Sequence, residues 1–447
     1  LMAYQEHRSQ NVRQLRENLL PHFLRLDQLE EEPEASEEEE QPPSLTVEAE
    51  TILRDAHQAK ATDIHVDPCE DSYRIRLRVD GIMLDACELS RAQGNRIINQ
   101  FKTLARLNPL PSFTCEESSF LYEEGDVSLD LRITAVPCSF GSKIAIRILE
   151  PSLAITQLED IGIFNEGASW MRSWLDANAG MLLVAGPTGS GKTTTLYTLL
   201  HQLKMSDTHV VTLEKPVEYQ ISGINQIQID PENGIDFETG SQALLRLDPD
   251  YVLIGELRSP ASAEAALNVA SSGRALMGTL HSKDAVGTVS SLRNLGMDDF
   301  EIAANLNLVV AQRLVRRLCP ECRKQTVLSE QQVNWLKACG VQLPEEIWEP
   351  VGCDNCKGIG YKDRIGIFEV WCPIEEDRSM IMNHEDEYAL RRHVANRGNP
   401  MMIEDGMDKV RRGITTVEEL IRVGAMGPAM NVSTGKEKFE QQLLQQH

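Results

Sequence analysis

Apolar and polar side chains alternate with period two through Tyr73-Arg-Ile-Arg-Leu-Arg-Val79. That spacing puts Tyr73, Ile75, Leu77 and Val79 on one face of a strand and Arg74, Arg76 and Arg78 on the other, with Asp80-Gly81 as the hairpin turn that follows. The same alternation runs through residues 127–135 and 143–148. It predicts an α+β domain over residues 44–150 whose sheet has one apolar and one arginine-bearing face. That basic face reads first as solvated surface; it also suits a domain that closes over phosphates or packs on a neighbouring subunit. Further on the pattern changes to short continuous apolar runs at residues 181–185, 208–214, 251–256 and 274–281. Runs of that length predict strands buried on both faces, hence a parallel α/β sheet. A helix is expected over residues 194–203, after the first of them.

Toward the N-terminus, Leu15, Leu19, Phe23 and Leu26 recur at roughly helical spacing, predicting an amphipathic helix within residues 4–29 that Pro21 disturbs. One helix has no core of its own, so it is expected to belong to a docking domain or to pack on a partner. Residues 30–40 are almost all acidic and run into Gln41-Pro-Pro, a composition that cannot bury enough apolar surface to fold and reads as a linker. The polar, glutamine-rich residues 428–447 are assigned no function.

The run at residues 181–185 leads into Gly186-Pro187-Thr188-Gly189-Ser190-Gly191-Lys192-Thr193-Thr194. This is a phosphate-binding loop in the context that gives the motif meaning: strand, glycine-rich turn, helix. The glycines let backbone N–H groups converge on phosphate, Lys192 supplies a point charge, and the Thr193 hydroxyl is placed to ligate Mg²⁺. ATP and Mg²⁺ are thus the expected ligands. Glu214, Glu256 and His281 stand at the carboxyl ends of the next three runs, the edge of an open α/β sheet where ligands bind. One carboxylate is expected near magnesium, another to orient the attacking water, and His281 to sense the γ-phosphate. Cys319-Pro-Glu-Cys322 and Cys353-Asp-Asn-Cys356 supply four thiolates for a tetrahedral Zn²⁺ with no open position, hence a structural zinc.

With 447 residues and 41% hydrophobic composition, the chain has material for two or three globular domains. Its net charge of −24 opposes general nucleic-acid binding. The remaining cysteines are scattered and are expected to be ordinary thiols. No apolar stretch approaches bilayer length and no secretory signal opens the chain, so a cytoplasmic location is expected. A first residue of Leu leaves room for an upstream domain.

The order of these motifs resembles the hexameric secretion ATPases that power type II secretion and type IV pilus assembly, over roughly residues 44–425. The resemblance rests on Thr62-Asp-Ile-His-Val-Asp-Pro68, Arg78-Val-Asp-Gly81, the phosphate loop, Val217-Glu-Tyr219 and Gly223-Ile-Asn-Gln-Ile-Gln228. It continues through Leu245-Arg246-Leu-Asp-Pro-Asp250, Gly255-Glu256-Leu-Arg258, Gly278-Thr-Leu-His281, Ala311-Gln-Arg-Leu-Val315, the tetracysteine, Arg364-Ile-Gly-Ile-Phe-Glu369 and Gly413-Ile-Thr-Thr-Val-Glu-Glu419. It implies a RecA-like P-loop ATPase domain (151–318) after a smaller α+β domain (44–150) that closes over the nucleotide. A zinc subdomain (319–357) and a helical C-terminal subdomain (358–427) follow. By the same resemblance Glu256 is the Walker B glutamate, Glu214 belongs to an acidic box and His281 to a histidine box. Arg246, Arg258, Arg132 and Arg147 are candidates for neutralising the γ-phosphate. The implied assembly is a homo-hexamer, peripheral at the inner membrane, engaging a platform protein and a membrane-anchored cytoplasmic docking protein.

Three positions depart from the family's pattern. Lys215 stands where the acidic box has a second carboxylate, Ser259 where an Asp is usual after the Walker B segment, and residues 111–120 lack the family's Pro-Gln-Asp-Gly-Arg stretch. They leave open an alternative: a degenerate nucleotide-binding scaffold with little hydrolysis of its own.

Overall fold

The computed structural model describes residues 47–110, 113–124, 127–149, 157–204 and 208–425. The expected helix of residues 4–29, the acidic linker and the C-terminal tail lie outside them. The described residues divide into two compact units, residues 47–149 with 350–361, and residues 157–349 with 362–425.

In the first unit, α1 (Val47–Gln58) and α2 (Arg91–Leu104) accompany strands β1 (Ala61–Pro68), β2 (Ser72–Val79), β3 (Ile82–Ser90), β4 (Glu116–Glu124), β5 (Val127–Cys138) and β6 (Gly141–Leu149). The strands form one antiparallel sheet in the order β3-β2-β1-β6-β5-β4. The period-two pattern maps directly onto it. Tyr73, Ile75, Leu77 and Val79 are buried with Ile52, Leu53 and Phe101 of the two helices. The β2–β3 turn has positive φ at both Asp80 and Gly81, as a two-residue hairpin of the twist-compatible type requires. On the polar face the arginines are paired: Arg76 Nε lies 2.5 Å and Lys143 Nζ 2.6 Å from Asp67, and Arg147 Nε lies 3.2 Å from Asp63.

The second unit is built on a seven-stranded sheet. Its strands are β7 (Gly180–Ala185), β8 (Val210–Glu214), β9 (Asn225–Gln228), β10 (Tyr251–Ile254), β11 (Ala275–Leu280), β12 (Leu306–Leu318) and β15 (Tyr361–Trp371), in the order β15-β12-β7-β11-β10-β8-β9. From β12 to β9 every neighbouring pair is parallel. The continuous apolar runs are explained by two covered faces. Leu182 and Val184 pack with Met171 and Trp174 of α3 (Asn165–Ala177) and Leu196 to Leu200 of α4 (Lys192–Lys204). Met181, Leu183 and Ala185 face the opposite core. There lie α6 (Pro260–Ser271), α7 (Gly287–Asn294) and α8 (Asp299–Asn305); α5 (Phe237–Arg246) precedes β10. Beyond β12 come β13 (Lys324–Thr326), α9 (Glu330–Ala338) and β14 (Ile347–Glu349). After β15 the chain is helical: α10 (Glu375–Met382), α11 (Glu387–Asn396), α12 (Met402–Arg411) and α13 (Val417–Arg422). The helix expected at residue 194 begins two residues earlier, at Lys192, because the loop's last N–H groups already open its first turn.

Candidate active site

The phosphate loop occupies residues 186–191 between β7 and α4. Gly189 and Gly191 have φ of +75° and +87°, a left-handed backbone that a side chain would strain. A Cβ at Gly186 would lie 2.5 Å from Ser190 Oγ and 2.7 Å from the Gln312 carbonyl. The loop's shape is held from the neighbouring strand β12. Gln312 Nε2 donates to the Ser190 carbonyl at 2.7 Å, and its Oε1 accepts from Thr195 Oγ1 at 2.8 Å. Ser190 Oγ is buried without a hydrogen-bond partner, a donor within the loop that an anion's oxygens would satisfy.

Lys192 Nζ donates to the carbonyls of Gly186 (2.9 Å) and Pro187 (3.2 Å). Burial lowers its pKa and Arg258 and Arg313 add to the effect, while Glu256 opposes it. A lysine so placed gains more than a solvated one from an incoming phosphate. Thr193 and Thr194 stand in the first turn of α4, at the positive end of a helix 13 residues long.

Beside the loop stand side chains from just past the ends of β10 and β11. Glu256 Oε1 is 2.7 Å from His281 Nε2, and its Oε2 is 2.8 Å from Arg258 Nε. His281 Nδ1 lies 3.1 Å from the Gly186 carbonyl. Both ring nitrogens therefore face oxygen acceptors. Thr279 Oγ1 donates to the Gly255 carbonyl at 2.7 Å, tying the two strand ends together. Ser259, one of the departures, caps α6: its side chain accepts the Ser262 N–H in a capping box. Serine and aspartate are equivalent in that role, so the helix entry keeps its geometry.

Glu214 is placed differently from its two companions. It is 3% exposed, and its oxygens accept from Tyr197 Oη (2.6 Å), Thr212 Oγ1 (2.6 Å) and Gln226 Nε2 (3.3 Å). Burial pushes its pKa up, against the pull of those three hydrogen bonds. Lys215 beside it is exposed. Arg246 sits exposed at the last turn of α5, with no hydrogen bond to Lys192, Glu256 or His281. Arg132 and Arg147 are register partners on β5 and β6 of the first unit. The structure thus gathers Lys192, Glu256, Arg258 and His281, sets Glu214 in a polar cluster of its own, and pairs Arg132 with Arg147 on the other sheet.

Sequence reasoning assigned no role to Gln312, Arg313 or Tyr197, each of which shapes the site. Arg313 Nη2 donates to the Lys283 carbonyl at 2.6 Å, just beyond His281. For Gln312 and Arg313 the signal was present in Ala311-Gln-Arg-Leu-Val315, where two polar residues follow the apolar run Leu308-Val-Val-Ala311.

The sulfur atoms of Cys319, Cys322, Cys353 and Cys356 all lie within 4.8 Å of one another. Tetrahedral Zn²⁺ with bonds of about 2.3 Å needs sulfurs about 3.8 Å apart, and Cys353 Sγ and Cys356 Sγ are separated by 3.8 Å. Gly360 N–H donates to Cys356 Sγ at 3.1 Å, the kind of hydrogen bond that stabilises a thiolate ligand. The donor set fits zinc. The residues of the phosphate loop likewise fit a nucleotide: three glycines at positions that resist a side chain, a buried unpartnered hydroxyl and a desolvated lysine.

The family profile of type II/IV secretion system proteins matches residues 37–422. The type II secretion system protein E of Aeromonas hydrophila is 31% identical over 428 residues, covering 95% of this chain and 84% of that protein. The type IV pilus assembly ATPase PilB of Myxococcus xanthus is 36% identical over 376 residues, 83% of this chain and 66% of that protein. Among solved structures, the Legionella pneumophila ATPase DotB superposes with a TM-score of 0.61 at 20% identity, over 87% of this chain and 98% of its own. The pilus retraction motor PilT with bound ADP gives 0.57 at 20% identity, over 89% and 100%; both likenesses speak for the fold. On the sequence match and the assembled site together, the chain belongs to the type II/IV secretion system protein family and is one of its ATP-hydrolysing secretion and pilus-assembly ATPases.

Proposed function

We propose that the chain is the motor subunit of a type II secretion or type IV pilus assembly machine, working as a homo-hexamer at the cytoplasmic face of the inner membrane. Its partners on this reading are a membrane platform protein and a membrane-anchored docking protein. No helix among the described residues is long and apolar enough to cross a membrane, so contact with the bilayer runs through those partners.

The carrying observation is the group formed by Lys192, Glu256, Arg258 and His281 around the Gly186 carbonyl. Lys192 and the loop N–H groups bind the β- and γ-phosphates. Thr193 would hold magnesium, which would neutralise phosphate charge there. Glu256 orients the attacking water and takes its proton, held in place by Arg258 and His281. His281, tied to both the loop and Glu256, registers whether the γ-phosphate is present. Glu214 supports this constellation from its place among Tyr197, Thr212 and Gln226. Arg246, Arg132 and Arg147 are retained as γ-phosphate candidates on the family's pattern. The tetracysteine holds one structural zinc. The intact group at Glu256 favours this reading over the degenerate scaffold, since a chain that only binds nucleotide has no use for a positioned base.

The test is steady-state ATP hydrolysis with Mg²⁺ by the chain as monomer and as enforced hexamer, with Lys192→Ala as blank. Turnover that rises on assembly and vanishes in the blank supports the motor; binding of ATP without turnover in either form overturns it.

A further inference from the structure

The loop after His281 is gripped from three elements at once. Arg313 on β12 bonds the Lys283 carbonyl, and Arg391 on α11 bonds Asp284 Oδ2 at 2.7 Å. Glu369 on β15 accepts the Ala285 N–H at 3.0 Å with Oε1. Its other oxygen receives the Met402 N–H of α12 at 3.4 Å. Glu369 is thus the one side chain among these that joins the histidine loop to the first turn of a C-terminal helix. Asp284 also accepts the Gly287 N–H at 2.8 Å, capping α7. The packing leaves no slack, because a Cβ at Gly287 would lie 2.9 Å from Ser282 Oγ and 3.2 Å from Asp284 Oδ1.

We propose that Glu369 is a positioning residue for hydrolysis: its carboxylate fixes the loop of residues 282–286, and with it His281, to the C-terminal helices. The proposal rests on His281 acting at the γ-phosphate as set out above. A charge-assisted hydrogen bond from Ala285 N–H is about twice as strong as a neutral one, so the ionised carboxylate holds the loop and the neutral acid loosens it. The charged groups that act on Glu369 are Asp284 of the loop, Arg391 of α11 and Arg313 of β12; Arg391 is itself paired with Glu387, and α12 carries the Asp405–Lys409 pair. Burial, then Asp284, pushes Glu369 up to about 7, with the hydrogen bonds to Ala285 and Met402 and the charge of Arg391 pulling the other way. The loop's grip is therefore set to change near neutral pH.

The experiment measures kcat and KM for ATP from pH 6 to 9, with binding of a fluorescent ATP analogue, in the full chain, Glu369→Gln, Asp284→Asn and His281→Ala. In wild type kcat is expected to rise through pH 7. Glu369→Gln lowers kcat on the order of tenfold at pH 8, flattens that rise and leaves nucleotide affinity within about twofold. Asp284→Asn, which removes the repelling charge, moves the midpoint to lower pH and serves should Glu369→Gln not fold. An unchanged pH profile in either variant overturns the proposal, as does affinity that falls in step with kcat, the mark of a merely structural residue. If His281→Ala turns over like wild type, the reading of the site itself fails; if His281→Ala is slow while Glu369→Gln is normal, only the role of Glu369 does.

Discussion

Lys192 and His281 meet at one atom: the carbonyl oxygen of Gly186 is 2.9 Å from Lys192 Nζ and 3.1 Å from His281 Nδ1. That oxygen belongs to the first glycine of the phosphate loop, so the two residues proposed to bind and to sense phosphate share an anchor. A lysine drawn toward phosphate leaves the carbonyl to His281, whose other nitrogen faces Glu256 at 2.7 Å. On the function proposed above, phosphate binding is thereby linked to the orientation of Glu256.

This linkage separates the two residues kinetically. Lys192→Ala is expected to lose nucleotide affinity and turnover together. Glu256→Gln keeps affinity and loses about 10²- to 10⁴-fold in kcat, the usual worth of a positioned base. Single-turnover hydrolysis beside equilibrium nucleotide binding checks both; equal losses of affinity in the two variants would contradict the division of labour.

Glu369 carries a stability signature as well as a kinetic one. Its folded pKa is raised above the ordinary 4.5 to about 7, so the folded state holds the proton more tightly than the unfolded chain. The stability this lends is complete below pH 4.5 and is lost as pH rises through 7. The difference in melting temperature between Glu369→Gln and wild type is therefore expected to shift in the variant's favour from pH 5 to pH 8. A difference independent of pH would show that Glu369 is ionised throughout that range.

Much of this architecture was legible because burial writes itself into the sequence. A strand covered on both faces, such as β7, must be apolar throughout, and one covered on a single face, such as β2, must alternate. The phosphate loop was legible for the same kind of reason, since backbone that touches phosphate admits only glycine. The placement of Glu214 was not. A glutamate at a strand's carboxyl end reads as a site residue, and nothing in its own segment reveals that Tyr197, two turns into α4, and Gln226, on another strand, both donate to it. Glu369 was hidden likewise: within Arg364-Ile-Gly-Ile-Phe-Glu369 it is one acid in a strand, and its partners come from residues 285 and 402. Such pairings are long-range, and a single sequence carries periodicity rather than contacts.

The tetracysteine predicts one zinc per chain by elemental analysis after purification without chelator. Cys319→Ser, or prolonged chelation, is expected to remove the metal and lower the melting temperature. Loss should be steeper toward acid pH, because protons compete for the thiolates. A chain that purifies without metal and melts unchanged in Cys319→Ser would leave the four cysteines as packing thiols.

The signature Gly413-Ile-Thr-Thr-Val-Glu-Glu419 ends on a buried carboxylate held by two arginines. Glu419 is 1% exposed. Its oxygens accept from Arg316 Nη2 (2.8 Å) and Nε (3.1 Å), from the Arg316 N–H (2.8 Å) and from Arg422 (2.6 Å), joining β12 to α13. Burial alone would raise its pKa, but Arg422 and Arg316 outweigh it and hold the carboxyl below 4.5. Its contribution is then present above pH 4.5 and lost as pH falls through the depressed folded value. Glu419→Ala takes its carboxylate away from the largely buried Arg316 guanidinium and is expected to cost about 3–5 kcal/mol at neutral pH. Exchanging both partners, Arg316→Met with Glu419→Leu, removes the guanidinium as well and is expected to cost less than Glu419→Ala alone. Unfolding free energies of the two variants at pH 7 decide the matter: a double variant weaker than the single one would mean that the ion pair itself, rather than the burden of a charge left without its carboxylate, stabilises the joint between β12 and α13.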